Sequence, residues 1–139
     1  MAYSFIQDFK VQVFEILASC SGITSKIDKI YIGAVQDAKY PFLLIDFNQI
    51  SDHSKYGNGI YHIEFQVSIF IRDKVQKGLT SLLNEVTETL IAPKFKVTNY
   101  TVAGLKTSGV QFEQAVDLIT TKLSIKFKAL IKEIKYELP

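Results

Sequence analysis

The segment Ile60–Arg72, reading Ile-Tyr-His-Ile-Glu-Phe-Gln-Val-Ser-Ile-Phe-Ile-Arg, limits the possible folds more than any other part of the chain. Every odd position from Tyr61 to Ile71 is apolar, while His62, Glu64, Gln66, Ser68 and Arg72 hold even positions. Side chains alternate across a strand, so the pattern predicts a long β-strand with one buried face and one wet face. Ile60 and Phe70 break the polarity of the wet face, and a second helix or another subunit could cover them.

The flanking sequence supplies neighbours for this strand. An apolar run at 42–50 predicts a strand, introduced by Tyr40-Pro41, where proline fixes an extended entry. The polar, glycine-bearing stretch 51–59 then reads as a long turn, so the two strands form a ribbon with an exposed tip. Phe5, Phe9, Val13, Ile16 and Leu17 recur at helical spacing within 3–19, with Gly22 as the expected C-terminal cap. A second helical stripe, Val75, Leu79, Leu82, Leu83, Val86 and Leu90, covers 75–91 and stops at Ala92-Pro93. Shorter strands are expected at 29–33, 95–102 and 105–112. The stretch 120–132 alternates again, with Leu123, Ile125, Phe127, Ala129 and Ile131 facing one way and Lys122, Ser124, Lys126, Lys128 and Lys132 the other. The order α-β-β-β-α-β-β-β defines an α+β fold, two helices packed on a mainly antiparallel sheet.

Composition excludes several classes. The 139 residues, with 47% hydrophobic and 22% charged, suit a single domain spanning 1–139 with its own core. Three prolines and seven glycines leave no room for a disordered linker. The one cysteine, Cys20, cannot form an internal disulfide or a multi-cysteine zinc site, and reads as a small packing residue. Met1 to Phe5 lack a basic region followed by an apolar run, so no secretory signal is expected. No stretch of about 18 apolar residues exists to make a membrane-spanning helix. A net charge of +2 with mostly scattered lysines argues against nucleic acid as the main partner.

No set of reactive residues announces a chemistry. His53 and His62 have no nearby cysteine or histidine donors, whereas a metal needs several convergent ones. Tyr56-Gly57-Asn58-Gly59 lacks the lysine and glycine spacing of a phosphate loop and enters a strand. Asp46, Glu64 and Gln66 on adjacent strands have the outline of a magnesium-dependent nuclease site, provided Asp46 shares a face with Glu64. Alternation on a wet strand face produces such triplets by default. The charge cluster is the lysine row of 120–132, readable as a solvated face protected against aggregation or as a contact for an acidic partner or neighbouring copy.

The order of elements, the segment Ile30-Tyr31-Ile32-Gly33-Ala34-Val35-Gln36-Asp37-Ala38-Lys39-Tyr40-Pro41-Phe42, the Ser51-Asp52 pair and the strand end Ile69-Phe70-Ile71-Arg72 together resemble one family. It is the tail-terminator (tail-completion, tail-to-head joining) proteins of long-tailed phages, prophages and gene transfer agents. The sequence departs from that family's pattern in having no Trp, with Phe70 at the position of a common indole, and in its lysine-rich C-terminal extension.

The resemblance implies a non-enzymatic structural protein without a cofactor, assembled as a hexameric ring on the head-proximal end of the tail tube. Its implied partners are its own copies, the tail tube protein and a head-completion or connector protein, with no membrane and no specific nucleic acid. Its implied location is the host cytoplasm during assembly, then the virion. A ring needs two different complementary surfaces per subunit. The candidates are the ribbon tip, with Asp52, His53, Lys55, Tyr56 and Asn58, and the strand face carrying Phe70, Lys122, Lys126 and Lys128. The alternatives are another neck or tail component and a nucleic-acid-binding α+β module. The module would need aromatics on the lysine face, whereas Phe127 falls opposite.

Overall fold

The computed structural model describes residues 5–33, 35, 37–53, 59–72, 78–91, 95–97, 99–117 and 119–134. Helix α1 (Phe5–Ala18) buries Phe5, Phe9, Val13 and Leu17, whose four-residue spacing keeps them on one stripe. A single further turn, α2 (Ser21–Thr24), follows instead of the expected glycine cap. Gly22 lies inside this turn, where an added Cβ would stand 2.9 Å from a carboxylate oxygen of Glu85. Burial of Ile23 in the core draws the chain into that extra turn.

One six-stranded sheet follows, in the spatial order β1-β2-β3-β6-β5-β4. Its strands are β1 (Ile30–Ile32), β2 (Phe42–Asp52), β3 (Ile60–Arg72), β4 (Lys96–Val97), β5 (Tyr100–Gln114) and β6 (Thr120–Glu133). Strand β1 runs parallel to β2, and every other pairing is antiparallel. Helix α3 (Leu79–Ile91) crosses between β3 and β4 and packs beside α1. The helical stripe expected at 75–77 lies outside the described residues.

Among the described residues the order is therefore α-α-β-β-β-α-β-β-β, with three helices rather than two. The expected strand at 95–102 divides into β4 and the start of β5, because Asn99 takes a left-handed conformation (φ 67°) and turns the chain. The expected strand at 105–112 is the middle of the much longer β5. Register shifts between Ala103 and Lys106 and between Thr107 and Gly109 break its alternation.

Strand β3 matches the alternation in its sequence. Tyr61, Ile63, Phe65, Val67, Ile69 and Ile71 are all buried, and β3 pairs residue for residue with β6 from Ile60 to Arg72. Aromatic rings run through the layer: Phe9 meets Phe65 edge to face (5.7 Å between centroids), and Phe65 stacks on Phe127 (5.2 Å). Full burial of each such side chain contributes about 1.5–3 kcal/mol. The helices thus cover one face of the sheet, and no other described element covers the opposite face.

Candidate assembly surfaces

The open face carries the alternate residues of the same strands. Asp46 lies directly opposite Gln66, with Lys126 next across the sheet; Glu64 lies opposite Lys128. The Lys128 ammonium reaches the Glu64 carboxylate at 3.5 Å, an exposed pair worth little by itself. On its other side Lys128 faces Lys106, a like-charge pair across two strands that disfavours the bare face. Asn48, Glu64, Gln66, Ser108, Lys126 and Lys128 border a hollow of about 390 Å³. Ser68 and Ser124, buried within the same face, share a 3.0 Å hydrogen bond.

Asp46 does project from the face that holds Glu64 and Gln66, the condition set for the nuclease reading. Glu64 is however tied to Lys128, and no group of three or more histidine, cysteine or acidic side chains that could hold a metal gathers among the described residues.

Phe70 is half-buried on the open face and belongs to an aromatic cluster. It stacks on Phe42 at 4.6 Å with the planes 9° apart, and the Lys122 ammonium lies over its other side at 5.7 Å. Tyr40 packs on Phe42 at 5.2 Å and carries the Arg72 guanidinium 5.5 Å from its centroid. Much of the apolar exception in the sequence is thus covered within the chain, because β2 places Phe42 directly opposite Phe70. Lys126 and Lys128 are exposed, whereas Lys122 is half-buried by its ring contact.

At the ribbon tip, Asp52 and His53 are exposed, while Lys55, Tyr56 and Asn58 lie outside the described residues. The His53 N–H donates to the Ile60 carbonyl at 2.8 Å, and its ring meets His62 with centroids 4.1 Å apart. The two histidines, without a partner in the linear reading, meet because the hairpin folds position 53 back beside 62. Gly59 closes the ribbon with φ +60°, and its carbonyl accepts from the Glu133 N–H at 2.9 Å.

The opposite end of the sheet is organised by Asp117. Its carboxylate accepts from the Thr120 hydroxyl (2.7 Å), the Thr120 N–H (2.9 Å), the Ile119 N–H (3.0 Å) and Arg72 (3.3 Å). These donors, the Thr120 hydroxyl first, lower its pKa from 3.8 to about 2. Along β5 towards this turn, and in it, stand exposed apolar residues that the sequence reading did not single out: Val110, Phe112 and Val116. Their signal was hidden because whether an alternating strand is exposed depends on what covers it.

These features describe a protein built on one open, lysine-bearing sheet face and long strand ends. Comparison with solved structures gives that description relatives. A chain in the structure described as the virion of a native gene transfer agent particle superimposes with a TM-score of 0.77. The identity is 10%, and the match covers 94% of this chain and 98% of that chain. The bacteriophage SPP1 gp17 protein is similar with a TM-score of 0.59 at 14% identity, covering 96% of this chain and 93% of that one. No family model matches the sequence, and no curated protein does. The resemblance to phage and gene-transfer-agent proteins read from the sequence therefore has its counterpart in the fold.

Proposed function

We propose that this chain is a structural virion protein that forms a ring on the head-proximal end of a phage-type tail tube. The ring ends tube growth and offers a surface to the head connector. One observation carries the reading: nearly the whole chain shares its fold with a chain of a gene transfer agent virion, and each covers almost all of the other. The residue patterns of the family supply the finer role. The open lysine face and ribbon tip supply polar surface for contacts with the chain's own copies, the tube protein and the connector. The work is done by binding, without catalysis or cofactor.

The test is native mass by light scattering with negative-stain imaging of the same sample, alone and with purified tail tubes. A closed ring, or density capping one end of the tubes, is the expected result. A monomer that leaves the tubes bare at every concentration would overturn the reading.

A further inference from the structure

The sheet registers contain an alignment that neither the sequence reading nor the proposed function uses. Ile30, Leu43, Ile69, Leu123 and Phe112 are successive Cα partners across five strands, forming one straight row. Ile32, Ile45, Val67, Ile125 and Val110 form another. The middle three residues of both rows are fully buried under the helices, so the end residues lie on that same face. There the cover thins: Ile30 is half-buried against the core, while Ile32 is 43% exposed, Val110 46% and Phe112 62%.

Both ends of these rows are strand edges. Strand β1 is the last of the sheet on its side, and β4 pairs with β5 only at Tyr100 and Thr101 among the described residues. From Ala103 to Gly109, β5 carries devices that blunt an edge, namely two bulges and Lys106. From Val110 to Glu113 it has no bulge, lysine or proline, and shows its large apolar side chains instead.

We infer that β5 of one copy pairs with β1 of the next, joining their sheets edge to edge. The occupant is a second copy because each edge finds its complement on the opposite edge of the same chain. The strand directions across the sheet make β1 and β5 antiparallel, and their apolar positions coincide. Pairing sets Ile30 against Phe112, Tyr31 against Gln111, and Ile32 against Val110. The two apolar pairs extend the buried rows across the boundary. The two edges stand at the same height along the strands. Copies rotated about an axis roughly parallel to the strands therefore meet without an axial step. A contact between unlike surfaces closes into a ring only without such a step; otherwise it propagates as a filament. The inference rests on the ring reading and names the contact that would close it.

Site-specific cross-linking tests it, with Cys20→Ala in every variant. Opposed residues of an antiparallel pair lie about 4.5–5.5 Å apart between Cα atoms, within disulfide range. Ile32→Cys and Val110→Cys chains should each remain uncoupled under mild oxidation and form a disulfide-linked dimer when mixed. The double variant should give a ladder ending at the closed ring. Wild-type rings with no mixed dimer would overturn the strand pairing and leave the ring reading standing. A monomeric wild type that also leaves tail tubes bare would overturn both. As a second check, Val110→Lys should abolish the rings while the monomer keeps its thermal midpoint, and intact rings in that variant would likewise overturn the pairing.

Discussion

Strands β3 and β5 both pair antiparallel with β6, and both are long, yet they have opposite characters. Strand β3 has a partner on each side, buries every odd position from Tyr61 to Ile71, and meets β6 with no register shift. Among the described residues, strand β5 has a partner on one side for most of its length, contains two bulges, and leaves Val110 and Phe112 exposed. The difference follows from position. A central strand is held in register by the burial of one whole face, whereas an edge strand can shift locally at little cost. The centre of this sheet builds the monomer, and its edge is available to something else.

Phe65→Ala would break the comparison at its stronger side. Phe65 is 1% exposed and wedged among Phe9, Phe47 and Phe127, so truncation should cost about 3–5 kcal/mol in urea unfolding. A loss below about 1 kcal/mol would mean the centre packs no better than the edge. Gly59→Ala should cost about 1–2 kcal/mol by the same measurement, since position 59 combines φ +60° with a close approach of the Glu133 side chain.

The Asp117 turn, which links the two regions through Arg72, gives a smaller effect with a defined pH window. Its folded pKa is depressed from 3.8 to about 2, so the carboxylate's contribution is complete above about pH 4 and is lost as pH falls towards 2. Thermal midpoints of Asp117→Asn against wild type should differ most above pH 4 and converge below 2. A gap independent of pH would remove the charge from the explanation. The least change in monomer stability is expected for Phe112→Ser, within about 0.5 kcal/mol, because the ring is already largely solvated. A loss comparable to that of Phe65→Ala would show that β5 belongs to the core after all.

The residues themselves determined a good deal. The alternation of 60–72 and 120–132 specifies two strands with one buried face each, and the stripes Phe5-Phe9-Val13-Leu17 and Leu79-Leu82-Val86-Leu90 specify two helices. Those patterns are local, so they survive in the linear chain. The turn at Asn99 and the bulges of β5 were not legible, because a left-handed residue and a register shift are fixed by the strand they pair with. Phe70 was recognised as an apolar exception on a polar face, but its cover by Phe42 and Lys122 required the register of three strands. Likewise, only the tertiary structure brought His53 to His62 and set β1 level with the open end of β5. Periodicity tells a chain which side of each strand is buried. Pairing between distant segments decides which strands stand at the edge, and the edges are where this molecule has surface left to offer.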